Sequence, residues 1–333
     1  MGRRVSGPQL AALVIGSAAA AAGETHRVIA AEYHHTFYAA HKVTARVRPG
    51  DLIISKTVDS AGFDFQGIRR TKTHGNPLTG PFYIDGAEPG DALVARLRKI
   101  ALNRATGYTG YQVGVANLPP GLTAEKPRRD AVIPGYDYLL PWAIDVGRGT
   151  VRLAEPGVSK LREFRAQPML GCIGVAPEGD YSPRSGPAGS WGGNLDYNLI
   201  REGTVVFLPV FHRGGLLFFG DGHAAQGDGE AVGSGVETSL DVEIEVGLRK
   251  NWNLTGPRAE TAGEIISIGG KPEATLNQSI EIATRDMLRW LVEDYGFPPR
   301  EAHLLIGVQA RYDVLTLGGS VALRIPKSAL GAR

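Results

Sequence analysis

Glycine and proline constrain this chain more than any other feature. It holds 45 Gly and 21 Pro in 333 residues, about a fifth of the chain where roughly 12% is usual. Both damage helix interiors, glycine through lost backbone entropy and proline through its missing N–H and its ring. A helical bundle is thereby excluded. The glycines have no three-residue period, which excludes collagen. Apolar types at 43% and charged types at 21% make the chain globular rather than disordered. What remains is a turn-rich, mainly β fold with many special backbone positions.

Hydrophobic alternation supports that class. Strands are expected at 43–47, 52–57, 81–85, 92–100, 131–134, 150–153, 170–176, 204–210, 216–219 and 239–247. A Pro-Gly-Asp turn occurs twice, at Pro49-Gly50-Asp51 and Pro89-Gly90-Asp91, each just before a strand. Many short strands between Gly/Pro turns predict a β-sandwich or jelly-roll-like fold. The C-terminal part differs. From 274 to 295 apolar residues recur at mostly helical spacing, with Gly296 as a stop and Pro298-Pro299 beyond it. A second short helix at 299–306 and closing strands at 313–317 and 320–325 complete an α+β portion over about 270–330. Residues 26–330 therefore read as one domain, with long loops at 102–130 and 177–191.

Arg3 and Arg4 precede an apolar run from Leu10 to Ala22 that ends in small residues. Residues 1–25 thus read as a signal peptide, which would place the protein in the periplasm or outside the cell. Read instead as an N-terminal extension, they leave a cytoplasmic protein. No later segment reads as a membrane span. A formal charge of +2 and the lack of any long basic run exclude nucleic acid as a partner. The short basic patches Arg69-Arg70-Lys72 and Lys126-Arg128-Arg129 read as solvated loops. Cys172 is the sole cysteine, so neither an internal disulfide nor a multi-cysteine zinc site is available. No nucleophile elbow, P-loop or strand–GxGxxG–helix unit is present.

The richest polar segment is Gly220-Asp221-Gly222-His223-Ala224-Ala225-Gln226-Gly227-Asp228-Gly229-Glu230. Its glycines let the backbone turn sharply, so that side chains converge. Asp221 and His223 stand two apart and share a face if the preceding strand continues. Carboxylates and a neutral imidazole are ordinary zinc ligands, with Asp228 or Glu230 as a general base. A calcium loop or a plain acidic turn reads the same at this level. Other polar clusters are Trp191-Gly192-Gly193-Asn194-Leu195-Asp196, the strand-end Asp59, and the histidines His34, His35 and His41. His74, His212 and His303 read more simply as structural or exposed.

These segments resemble the acetamidase/formamidase family. The resemblance rests on GDGHAAQGDGE at 220–230, GGNLD at 192–196, LTGPFYIDGAEPGD at 78–91, GCIGVAP at 171–177 and Asp59, all in the family's order. It implies a β-sandwich that hydrolyses the C–N bond of a small amide, a divalent metal, zinc or else calcium, and a homo-oligomer. Carried over by position, Asp59, Asp221 and His223 are the implied metal ligands. Asn194, Asp196 and Gln226 are implied to line the substrate site, and Asp228 and Glu230 to act in catalysis. The stretch His34 to Val43 lacks the family's Pro-Pro and Trp-Asp elements, and Gln309 to Asp313 departs from an Asp-Leu-Arg-Ile-like stretch. Two other readings stay open: a hydrolase of a larger amide, and a periplasmic metal or small-molecule binding protein without turnover.

Overall fold

A computed structural model describes residues 23–110, 139–154 and 160–331. The apolar N-terminal run, the strand expected at 131–134 and most of the loop expected at 102–130 lie outside these residues.

Among the described residues, nineteen strands form three sheets. The largest runs in the order Thr25–Arg27, Leu52–Lys56, Leu240–Arg249, Ala92–Leu102, Val205–Pro209, Arg258–Glu260, Glu264–Gly269, Ser320–Pro326, Arg311–Thr316. The second runs Ala188–Gly189, Gly192–Asn194, Met169–Val175, Leu217–His223, Leu78–Ile84, Ala45–Val47. A small third sheet holds Thr106–Gly110, Leu139–Asp145, Thr150–Leu153 and Phe164–Arg165. Its first strand lies inside a stretch expected to be loop.

Alternation explains why the two large sheets stack. In Leu240–Arg249, Leu240, Val242, Ile244 and Val246 are buried while Asp241, Glu243 and Glu245 face outward. They share one core with Phe82, Leu170, Ile173, Leu217 and Phe219 of the second sheet. That is the packing of a β-sandwich. Both Pro-Gly-Asp repeats become the same turn. Gly50 and Gly90 have φ 98° and 91°, and the N–H groups of Asp51 and Asp91 bond the carbonyls of Arg48 and Glu88 at 2.9 and 3.0 Å. This is a type II turn, which needs glycine at its third position.

Two helices cover the outer face of the largest sheet. Helix α1 spans Leu276–Glu293 and opens on a capping box between Thr275 and Gln278. Its buried side (Ala283, Met287, Trp290, Leu291) packs on Ile265, Leu323 and Ile325. Helix α2 spans Pro299–Gln309. The strands Arg258–Glu260 and Glu264–Gly269, absent from the sequence reading, form the seat of α1. There Arg258, 1% exposed, bonds both carboxylate oxygens of Asp286 at 2.8 and 2.9 Å. Removing one partner of such a pair strands the other charge. Asp286→Ala is therefore expected to lower stability by about 3 kcal/mol, read by urea denaturation. A change under about 0.5 kcal/mol would contradict this account of the helix seat. No helix among the described residues is long and apolar enough to cross a membrane.

Candidate metal centre and active site

The second sheet carries the polar centre. Strand Leu217–His223 delivers Asp221 and His223 to one point, with His223 Nε2 3.6 Å from Asp221 Oδ1. The neighbouring strand Met169–Val175 contributes Gly171, whose lack of a side chain is required. A Cβ there would lie 2.5 Å from Asp221 Oδ2 and 2.7 Å from Asp196 Oδ1. The turn after Gly192–Asn194 brings in Asp196, whose N–H bonds Gly171 O at 3.1 Å. Glu237 arrives on an isolated bridge opposite His223 and places Oε1 3.0 Å from His223 Nε2. Glu230 enters on the turn Asp228–Glu230. Eight described non-glycine residues have positive φ, and four of them, Asn76, Asp196, Asp221 and Glu230, lie in this site. Backbone strain of that kind persists where the surroundings impose it, often at functional sites.

Three side-chain amides orient three of these side chains. Gln226 Nε2 donates to the Asp196 carbonyl at 2.6 Å, so its Oε1 faces His223 Nδ1 at 2.7 Å. That oxygen only accepts, so Nδ1 carries a proton and Nε2 points into the site. Asn76 Nδ2 donates to Asp221 Oδ2 and to Asn194 Oδ1, both at 3.0 Å. Asn194 Nδ2 in turn donates to Asp196 Oδ2. Each of these side chains thus has one atom tied back and the other turned to a common point. There Asp196 Oδ1, Asp221 Oδ1 and Glu237 Oε2 are buried without a hydrogen-bond partner, and His223 Nε2 faces Glu237 Oε1 at 3.0 Å. Buried polar atoms are rarely left unpaired.

Four carboxylates around one imidazole set the electrostatics. Burial, then the nearby Glu230 and Asp221, push Asp196 well above the usual carboxylate range. Burial, with Glu237 and Asp221 adding, raises Glu230 to about 8. Burial and Asp221 raise Glu237 to about 7, against the pull of His223. Burial alone would lower His223, but Glu237 and Asp221 outweigh it and push it well up. Burial and the crowding of carboxylates act together in these shifts. Asp196, Asp221 and His223 form one set of ligand atoms within 4.8 Å of one another, and His223, Glu230 and Glu237 form another. This donor chemistry fits a divalent cation.

Above the cluster lies a pocket of about 260 Å³ whose lining includes Ser60, His74, Asn76, Tyr108, Glu230 and Glu237. Tyr108 Oη accepts from Ala61 N–H and pairs with Ser60 Oγ, each at 3.0 Å.

Several expected residues stand elsewhere or act differently. Asp59 is not in either ligand set. One oxygen takes the N–H groups of Ala61 and Phe63, and the other lies 2.6 Å from Arg104 Nη2. This pairing with Arg104 and two backbone N–H groups gives Asp59 an anchoring place in the structure, outside both sets. Asp228 is exposed and takes a 2.7 Å bond from Asn198 rather than facing the cluster. Gln226 bonds His223, Asn194 bonds Asp196 while also lining the pocket, and Asp196 falls in the first set of candidate donors. His34 and His41 stack on each other with centroids 3.9 Å apart, and His35 bonds Gly75 O at 3.1 Å; none of the three is in a ligand set. Sequence reasoning missed Glu237 and Asn76. The former is the lone charge between Ala231 and Leu240, a signal that was readable. The latter sits before a proline in a turn and carried none.

A model described as the acetamidase/formamidase family matches residues 176–312. The chain is 26% identical over 270 residues to the formamidase of Methylophilus methylotrophus, covering 66% of this chain and 65% of that one. It superposes on the acetamidase of Yersinia enterocolitica with TM-score 0.77 and 29% identity, over 95% of this chain and 96% of that one. A predicted acetamidase/formamidase from Thermoanaerobacter tengcongensis gives TM-score 0.75 and 30% identity, over 92% and 97%. The chain spans 55 to 65% of the length of the curated relatives it matches.

Proposed function

The chain belongs to the acetamidase/formamidase family, and on that premise we propose that it hydrolyses a small linear amide to a carboxylate and ammonia, using a divalent cation held by Asp196, Asp221 and His223. The observation that carries this reading is that three orienting amides turn three buried donor atoms to one point, where both carboxylate oxygens have no hydrogen-bond partner. One imidazole with carboxylates suits zinc. Calcium takes about six to eight oxygen ligands, and the imidazole speaks against it.

An amide resists water because nitrogen donation stabilises its carbonyl. The cation, when bound, supplies Lewis acidity that polarises that carbonyl and acidifies water. The chain supplies the rest. Asn76, Asn194 and Gln226 hold the ligands in one orientation, which outer partners at metal sites commonly do. Glu230, in the pocket wall, takes a proton from the attacking water and returns it to the leaving nitrogen. The hydroxyls of Ser60 and Tyr108 hold the amide against the cluster.

One observation favours a second placement. His223, Glu230 and Glu237 also lie within ligand range of one another, and Glu237 Oε2 is unpaired. The metal contents of Asp196→Asn and Glu237→Gln separate the two: the first loses the ion only if the first set holds it.

The reaction itself is tested by ammonia release from formamide, acetamide and benzamide. A pocket of about 260 Å³ leads us to expect the highest kcat/KM for the two small amides. Release confined to benzamide would move the substrate class to larger amides. Cation uptake without ammonia from any amide would make this a binding protein.

A further inference from the structure

Asp196 and Glu230 both sit on turns with positive φ, 43° and 47°. Such backbone has little intrinsic preference for its shape and needs an outside hold. Strand Arg311–Thr316, at the edge of the largest sheet, provides one for each turn. Tyr197, next to Asp196 and 1% exposed, donates its hydroxyl to Asp313 Oδ2 at 2.7 Å. Asp313 is itself held by Arg324, whose Nε lies 2.7 Å from the same oxygen. Arg324 is pinned to both oxygens of Glu264 at 2.7 and 2.8 Å. Three neighbouring strands thus present one rigid acceptor to Tyr197. Just past the same strand, Leu317 N–H bonds Gly229 O at 2.9 Å and so holds the Glu230 turn. The exposed Asp228 completes the frame, taking its 2.7 Å bond from Asn198 on the Asp196 turn.

We infer that Tyr197 and Asp313 are positioning residues. The edge strand clamps the segment that carries Asp196, through Tyr197 and through Asn198 braced on the Glu230 turn, and this placement of the Asp196 carboxylate sets how tightly the centre holds its cation. The inference rests on the cation site proposed above. It also gives the C-terminal α+β portion a part in function beyond packing, and gives Asp228 a bracing role in place of a catalytic one.

The test is zinc affinity, measured by competition with a chelating dye, for full-length Tyr197→Phe and Asn198→Ala beside wild type. Tyr197→Phe keeps the buried ring, and Asp313 keeps Arg324, so no charge is stranded. Zinc is expected to bind about tenfold more weakly, with the melting temperature within about 3 °C of wild type and kcat recovering at excess zinc. Asn198→Ala, lying at the surface, should weaken zinc about threefold and guards against a Tyr197→Phe that does not fold. Tyr312→Phe, on the same strand but bonded to Thr284, should leave affinity unchanged. Wild-type affinity in both Tyr197→Phe and Asn198→Ala overturns the clamp and leaves the proposed function standing. A wild-type protein that takes up no divalent cation overturns the proposed function instead.

Discussion

His223→Ala is expected to abolish both cation retention and ammonia release. His223 is 0% exposed, and its Nε2 is the one nitrogen in either ligand set. Among the described residues no second nitrogen stands in either ligand set, whose other donors are all carboxylates. A cation acting on a carbonyl is worth several kcal/mol of transition-state stabilisation. At about 1.4 kcal/mol per decade, that is a loss on the order of 10³-fold in kcat/KM. The loss should accompany zinc content falling to background in elemental analysis. Because the imidazole is buried against Glu237 and Asp221, the melting temperature of the variant is measured beside its metal content, so that loss of the ion is read on folded protein. Unchanged metal and activity would remove His223 from the mechanism.

Glu230→Gln is the second large effect and separates proton transfer from ion binding. The substitution keeps the shape of the side chain and removes its basicity. General acid–base groups contribute about 10²- to 10⁴-fold, so kcat should fall by that range. The ion should stay, because Asp196, Asp221 and His223 are untouched. The pH–rate profile should also lose the limb that the Glu230 carboxylate provides. Loss of zinc from Glu230→Gln would instead place the ion in the set His223, Glu230 and Glu237, and full activity would discard Glu230 as the proton carrier.

The strands were legible where alternation was long enough to be read. In Leu240–Arg249 core and charge alternate from Leu240 to Val246, and helix α1 shows its stripe over eighteen residues. The strands Arg258–Glu260 and Glu264–Gly269 were not, since three and six residues beside glycine carry little period. The site divides in the same way. Asp221, His223 and Glu230 were readable because local glycines gather them within one segment. That Asp196 stands beside Asp221 was not readable, because it depends on Gly171 and Asn76, which lie far from it in the chain. Asp59 shows the limit most clearly. A carboxylate at a strand end looks alike whether it meets a cation or a guanidinium, and Arg104, forty-five residues away, decides it.

Gly171 also shows what part of the glycine surplus does. It clears the space in which two carboxylate oxygens approach each other. Gly235 does the same for the imidazole, where a Cβ would lie 2.5 Å from His223 Nδ1. These glycines are set by the site rather than by turns.

The most direct measurement is a zinc titration of metal-stripped protein with ammonia release from formamide as the readout. The account predicts no release above background from stripped protein, and activity that climbs to a plateau as zinc fills the site. Undiminished ammonia release from protein shown to be free of metal would contradict it.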